Sequence, residues 1–185
     1  MSSKENTREH WLKFALQQLI KEGPDSLKIM PLCEARGVTK GSFYHHFKNR
    51  QDFISQLMEH WYQTLTMAFI EQADTESDAL QRLEKLDQVI ADNDIEAEMH
   101  IRAWALKEPG LSDYLARVDE QRQDYLKHCY IELGVDPALA QDIAIVSYAQ
   151  FLGLLQLHPR PDTETMLRLS GLLSRQFFPE TNQTG

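Results

Sequence analysis

The sequence has few cysteines and no long hydrophobic run. Of its 185 residues only Cys33 and Cys129 are cysteines, and both fall on predicted helix faces, which favours buried, reduced thiols over a disulfide framework. The opening residues, MSSKENTREHW, lack the apolar stretch of a signal peptide. No run reaches the roughly 20 apolar residues that a membrane span needs. We therefore expect a cytoplasmic protein without a membrane partner.

Catalytic motifs and strand patterns are also missing. The sequence contains no GxSxG, phosphate-binding P-loop, GxGxxG or HExxH motif. The adjacent His45 and His46 would point about 100° apart on a helix, which suits neither a shared metal nor a catalytic dyad. Nothing shows the alternation of a strand flanked by turn residues. The sequence predicts an all-α protein that is not an enzyme and that has no cofactor or metal.

Charge is distributed unevenly, although the whole chain is acidic at a formal net charge of −9. Residues 1–60 contain nine Lys and Arg against seven Asp and Glu, a net +2, and the remainder contains ten against twenty-one, a net −11. Only the N-terminal part therefore suits a polyanion such as DNA. For most of the other carboxylates a solvated helix surface is the simpler interpretation.

The run from Leu27 to Phe47, LKIMPLCEARGVTKGSFYHHF, has the pattern of a helix-turn-helix. A short amphipathic helix is followed by a break at residues 36–38 and by a second short helix. Gly37 can take the positive φ that a sharp turn requires. We expect Val38 to fill the angle between the helices and Thr39 to cap the second one.

The second helix should present different residues to its two sides. At 100° per residue, Phe43 and Phe47 share the inner face, and Gly41 and His45 lie near the centre of the outer face. Such a small outer face could approach base edges in a major groove. Gly41 is costly within a helix, so it indicates either close approach to DNA or sequence drift in a weak helix. The outer face is flanked by Ser42 and Tyr44.

Residues 35–53, ARGVTKGSFYHHFKNRQDF, closely resemble the DNA-binding helices of the tetracycline-repressor-like (TetR) family. The typical run of that family is A-A-G-V-S-K-G-T-L-Y-H-H-F-K-S-K-E-x-L. The resemblance implies a three-helix DNA-binding domain over residues 1–50. It also implies a long helix that joins this domain to a helical effector-binding and dimerisation domain over residues 51–185.

The same resemblance assigns residues to DNA contact. Lys48 and Arg50 match positions that bind phosphate at the start of the fourth helix. Lys28, a further candidate, stands where the family usually has a capping Ser or Thr, and Pro31 falls in the first turn of that helix. The candidate DNA-binding residues are Lys28, Thr39, Lys40, Gly41, Ser42, Tyr44, His45, His46, Lys48 and Arg50.

Apolar periodicity and break residues predict the remaining helices. Asn49 followed by Asp52 resembles a capping box that opens a long fourth helix, and Asp136 followed by Pro137 marks another helix start. The helix-turn-helix of residues 27–47 is the predicted DNA reader. The predicted helices outside this reader cover 7–22, 49–69, 77–91, 95–107, 111–133, 137–157 and 163–178.

The helix predicted at 137–157 is apolar almost all round from Ile143 to Leu157, and the last helix adds further leucines. Two such helices offer more apolar surface than one subunit covers, which favours self-association over a fully intramolecular core. In the TetR family these helices form a four-helix bundle with a second copy. That geometry implies a homodimer on a palindromic operator with half-sites about 34 Å apart.

The resemblance also implies an effector pocket, although the sequence does not identify the ligand. His100 and Arg102 could hold a polar ligand group, and Arg122 could equally form an ion pair with Asp119 or Glu120. Taken singly, each aromatic or Met candidate is more often ordinary core. The pocket candidates are Trp61, Tyr62, Met99, His100, Trp104, Tyr125, Tyr148 and Phe151.

These observations lead to one functional hypothesis and two alternatives. The hypothesis is a ligand-responsive, dimeric transcriptional regulator that acts as a repressor. One alternative is a helical protein that binds or modifies a small molecule through His100 and nearby carboxylates. The other is an architectural DNA-binding protein without an effector. Sequence-specific, salt-dependent binding to a palindrome would separate the regulator from the architectural protein.

Overall fold

The computed structural model describes residues 3–177, and every regular element in that range is helical. The all-α prediction is therefore confirmed. The elements are α1 Ser3–Glu22, a 3₁₀ turn Pro24–Leu27, α2 Ile29–Arg36, α3 Lys40–His46, α4 Arg50–Tyr62, a π-helical stretch Gln63–Met67, α5 Ala68–Ala73, α6 Ala79–Asp92, α7 Glu96–Ala105, α8 Ser112–Glu132, α9 Pro137–Gln156 and α10 Thr163–Phe177.

Most predicted helix boundaries agree with these bounds to within two residues. The first helix begins four residues earlier than predicted, at Ser3. The predicted end of the last helix, residue 178, lies outside the described residues. Asn49 caps α4 as predicted, because its side chain accepts a hydrogen bond of 2.8 Å from the Asp52 N–H. The Asp52 carboxylate in turn accepts one of 2.8 Å from the Lys48 N–H.

The sequence analysis missed the π-helical stretch that joins α4 to α5. The Thr64 hydroxyl donates a hydrogen bond of 2.8 Å to the carbonyl oxygen of His60, one turn earlier. A hydroxyl bonded in this way competes with the backbone ladder, and an extra residue can then enter the turn. The predicted long helix is consequently an α-helix interrupted near its middle and continued to Ala73.

The chain divides into two compact units. The first contains the chain up to Met67 together with Ile95–Ala116, and the second contains Ala68–Asp94 and the chain from Arg117 onward. In the second unit, buried residues of α6, α8 and α9 form one hydrophobic cluster. Its members are Ala79, Leu83, Cys129, Tyr130, Ala140, Ile143 and Ala144. The boundary predicted at residue 50 divides a DNA-binding domain from an effector-binding domain by function, and it stays a prediction.

Both cysteines are buried free thiols, as predicted. Burial raises the pKa of the Cys33 thiol and of the Cys129 thiol above the ordinary value. A thiol with a raised pKa is rarely ionised at neutral pH and is therefore a poor nucleophile. These residues act as small apolar side chains in the two units.

Helix α9 corrects the expectation that no segment could span a membrane. It is long and apolar enough to do so by length and composition, and a third of it is buried inside the chain. The sequence pattern did not indicate this, because Ser147, Gln150 and Gly153 interrupt the apolar run. The helix nevertheless has a high overall hydropathy, since Asp142 is its only charged residue. Three residues of its inner face, Ala140, Ile143 and Ala144, pack in the hydrophobic cluster of the second unit.

Candidate DNA-binding interface

Aromatic packing holds α3 in place. Phe43 and Phe47 are fully buried, as their predicted inner face requires. The Trp11 ring of α1 lies edge-on to both of them, with ring centroids 5.9 and 6.2 Å apart. Phe53 of α4 lies on them at 5.4 and 5.0 Å. Edge-to-face aromatic pairs stabilise a core beyond simple area burial, so α3 is fixed rigidly against α1 and α4.

The turn before α3 has the predicted conformation at Gly37, whereas Val38 and Thr39 differ from their predicted roles. Gly37 has φ 70° and ψ 32°, a left-handed conformation that favours glycine. Its N–H donates to the Glu34 carbonyl, and the Val38 N–H donates to the Cys33 carbonyl, each at 3.0 Å. This is a Schellman-type helix end.

The prediction that Val38 fills the angle between the helices is wrong. Its side chain is 36% exposed, whereas the buried side chains here belong to Leu32 and Phe43 on the helices themselves. Thr39 does occupy the N-cap position of α3, with an extended backbone, but its side chain makes no capping hydrogen bond. The prediction that Thr39 caps α3 is therefore correct for its position and wrong for its side chain.

The outer side of the reader is accessible. Tyr44 is 53% exposed, and its ring lies edge-on to the buried Phe43 with centroids 5.5 Å apart, which orients it outward. Ser42 is half-buried, and the half-buried His46 ring lies against Trp11 at 6.4 Å. The remaining candidates on this side are exposed: Thr39, Lys40, Gly41, His45 and Lys48.

Gly41 has room for a side chain. A Cβ at this position would meet only the Thr39 Oγ1 atom, at 3.5 Å, which is an ordinary van der Waals contact. Its backbone has no positive φ. The packing and backbone of the chain itself therefore do not require glycine at position 41.

Two basic candidates are already paired within the first unit. The Lys28 ammonium lies 2.7 Å from a carboxylate oxygen of Asp25, and this hydrogen bond lowers the pKa of Asp25. Lys28 also occupies the N-cap of α2 without a side-chain capping bond, as its chemistry predicts. The Arg50 guanidinium binds the Glu108 carboxylate, with Nη1 3.0 Å from Oε1 and Nη2 3.4 Å from Oε2. Sequence reasoning missed this partner.

Arg36 is a second residue that sequence reasoning missed. Its guanidinium lies over the Trp11 ring at 4.5 Å and over the Phe14 ring at 5.4 Å. Its Nη1 donates a hydrogen bond of 3.3 Å to the His10 carbonyl oxygen. Arg36 thereby fastens the end of α2 to α1. The only local signal was a cation in the last turn of a helix, which does not reveal the aromatic partners.

Five of the pocket candidates lie in the first unit, namely Trp61, Tyr62, Met99, His100 and Trp104. The His100 Nδ1 atom lies 3.1 Å from the carbonyl oxygen of Glu96 on its own helix. Arg102 donates to the buried Glu98 carboxylate at 2.7 Å. Both polar side chains therefore have contacts within α7.

The other three pocket candidates lie in the second unit. Tyr148 and Phe151 stack with ring centroids 6.1 Å apart. The Tyr148 hydroxyl donates to the Asp119 carboxylate at 2.7 Å and accepts from Arg122 Nη1 at 3.2 Å. Arg122 thus approaches Asp119 through Tyr148. The third candidate, Tyr125, donates to Asp74 at 2.9 Å, and its burial raises its pKa above the ordinary value.

Comparisons with known proteins agree with this geometry. Residues 12–57 match the sequence model of the family described as bacterial regulatory proteins, tetR family. The HTH-type transcriptional regulator AcrR of Shigella flexneri is 36% identical over 55 residues, which cover 30% of this chain and 26% of that protein. This chain therefore matches about a quarter of the curated relative.

Solved structures extend the fold similarity to most of the chain. A TetR-family transcriptional regulator from Streptomyces coelicolor has a TM-score of 0.76 at 15% identity, covering 95% of this chain and 91% of that one. The reduced form of NemR from E. coli has a TM-score of 0.67 at 21% identity, covering 89% and 95%. A protein from Saccharomonospora viridis, solved in complex with choline, has a TM-score of 0.69 at 15% identity, covering 90% and 94%. The N-terminal residues 12–57 therefore match the tetR family of bacterial regulatory proteins in sequence, and the chain shares its fold with solved TetR-family regulators.

Proposed function

We propose that this chain is a ligand-responsive transcriptional repressor that binds a palindromic operator as a homodimer and is released by a small-molecule effector. The observation that carries the proposal is the two-sided character of α3. On its inner face, the Phe43 ring packs against the rings of Trp11, Phe47 and Phe53. Most residues of its outer face are exposed to solvent. A rigid helix with an accessible polar face is what reading a major groove requires.

The outer face has the right chemistry for the two kinds of DNA contact. Tyr44 and His45 carry groups that can reach base edges, and Gly41 lets the helix approach them closely. Lys40 and Lys48 carry exposed ammonium groups for backbone phosphates. Phosphate contacts would set the register of the helix, and base contacts would set the sequence.

Exposed apolar residues support the proposed homodimer. Leu139, Ile145 and Val146 on α9 and Leu172 on α10 are all exposed in the single chain. The two helices are joined by a hydrogen bond of 2.7 Å from Gln150 Nε2 to the Leu169 carbonyl oxygen. A second copy that covers this surface would place two readers on successive turns of the duplex, about 34 Å apart.

The proposed effector is a small molecule bound within the helical domain proposed over residues 51–185, with no metal or cofactor and no membrane partner. Support comes from the fold, since a fold relative was solved with choline. That ligand belongs to the other protein, and for this chain the ligand identity is open. A cytoplasmic location follows from an operator on bacterial DNA.

Selection of bound duplexes from a random pool tests the proposed function. The expected result is a palindromic consensus with half-sites one helical turn apart. A Tyr44→Ala variant, which keeps the inner face of α3, should fold normally and enrich the consensus weakly. Binding without sequence preference would favour the architectural protein, and no binding at low salt would favour a helical small-molecule protein or enzyme.

A further inference from the structure

The pair formed by Arg50 and Glu108 brings a carboxylate to the edge of the reader. Arg50 is the first residue of α4, and Glu108 lies in the connection from α7 to α8. Each guanidinium Nη atom faces one carboxylate oxygen, with Nη1 3.0 Å from Oε1 and Nη2 3.4 Å from Oε2. This two-point geometry is the same that a guanidinium adopts on a phosphate group.

Neighbouring side chains hold the Glu108 carboxylate in place and keep it ionised. The Arg50 hydrogen bond is the main cause that lowers the pKa of Glu108, so the carboxylate is ionised at neutral pH. The buried Trp104 indole on α7 also contributes to the lowered pKa of Glu108 as a side-chain donor. A second contact, of 2.8 Å from the Tyr114 hydroxyl to Ser55, fastens the same segment to α4.

The pair can nevertheless open. Its side chains are 36% and 27% exposed, and ion pairs reached by water contribute little net stability. A DNA phosphate offers Arg50 an equivalent anion, so the two anions compete for one cation. Lys48, two residues earlier, is exposed with no such partner among the ion pairs of the described residues.

We propose that Glu108 is an intramolecular competitor of DNA phosphate for Arg50, so that closing this pair weakens DNA binding and opening it adds one phosphate contact. The inference rests on the proposed DNA-binding function and adds a residue outside the helix-turn-helix that sets its affinity. Any movement of the connection between α7 and α8 away from α4 would release Arg50 and tighten binding.

The experiment measures binding to a fluorescent duplex of about 30 base pairs with a randomised centre, across a series of salt concentrations. Glu108→Gln should tighten binding about three- to tenfold and steepen the salt dependence by about one phosphate contact. The gain should vanish in the double variant that also carries Arg50→Ala. Asp113→Asn is the matched control, because it removes an exposed carboxylate from the same unit.

A variant that keeps the net charge separates the effect of the Arg50–Glu108 pair from the effect of a changed net charge on DNA binding. Trp104→Phe removes the indole donor to Glu108 without altering net charge, and we expect it to tighten binding by a smaller factor. Thermal melts confirm that each variant is folded. If Glu108→Gln proves unfolded, Trp104→Phe and its combination with Arg50→Ala supply the same comparison.

Three outcomes would overturn the inference alone while the wild type still binds DNA. They are a Glu108→Gln affinity no tighter than that of Asp113→Asn, a gain that persists without Arg50, and weaker binding on loss of the carboxylate. If the wild type fails to bind the duplex even at low salt, the proposed function fails as well. The two failures are therefore distinguishable.

Discussion

Gly41 offers a test in which stability and DNA binding should change in opposite directions. The change is Gly41→Ala, followed by Gly41→Leu. Ala is favoured over Gly within a helix by about 0.5–1 kcal/mol. The nearest atom to the new Cβ is Thr39 Oγ1 at 3.5 Å, so no clash opposes this gain. The free energy of unfolding should therefore rise, and the melting temperature should rise by about 1–4 °C.

DNA binding should respond in the other sense. If the outer face of α3 approaches base edges closely, Leu at position 41 occupies space that the DNA needs. We expect operator affinity to fall by at least about tenfold, which corresponds to 1.4 kcal/mol, with Ala producing a smaller loss. Thermal melts measure the first quantity, and fluorescence anisotropy with the selected duplex measures the second.

A matched control separates position from residue type. Ala103 is an exposed residue of α7 in the same unit, so Ala103→Leu adds a comparable side chain outside the reader. It should leave operator affinity unchanged. The reasoning would be refuted by Gly41→Leu binding as tightly as the wild type. A loss of stability in Gly41→Ala would equally refute it, since the glycine would then serve the fold.

Three further predictions concern phosphate contact, self-association and pH. Lys48→Ala should weaken binding to selected and random duplexes alike and lower the salt slope by about one in anisotropy titrations; an effect on the selected duplex alone would contradict phosphate contact. Val146→Asp places a charge at a 54% exposed position of α9 and should yield folded monomers in sedimentation, whereas Leu106→Asp, at an 87% exposed position outside α9, should not. Burial, reinforced by Glu84, raises the pKa of Asp87 to about 7. Because the folded state then holds a proton that the unfolded state has lost, stability should fall as pH rises from about 4 to 7. Asp87→Asn should remove that fall and raise the free energy of unfolding at pH 8 by up to about 4 kcal/mol in urea titrations; equal pH profiles would contradict the assignment.

Features set by neighbouring residues were predictable from the sequence. The positive φ of Gly37, the Asn49 cap and the burial of Phe43 and Phe47 depend on chain stereochemistry and helical period. Those short-range rules hold whatever the rest of the chain does. They were enough to define α3 and its two faces.

Features set by distant residues were not predictable. The partners of Arg50 and Arg36 come from other helices, and no local pattern specifies them. The predicted burial of Val38 was wrong, since the buried side chains at this turn belong to Leu32 of α2 and Phe43 of α3. The contacts of Tyr148 with Asp119 and Arg122 likewise required the fold. Long-range pairing is therefore the information that the structure adds.

Hydroxyl-radical footprinting of the selected duplex tests the central claim most directly. If two copies each insert α3 into a major groove, cleavage should be protected in two symmetric regions on one face of the DNA, about one helical turn apart. Protection should disappear together in both regions when Gly41 is replaced by Leu. A single asymmetric region, or uniform protection along the duplex, would contradict the account.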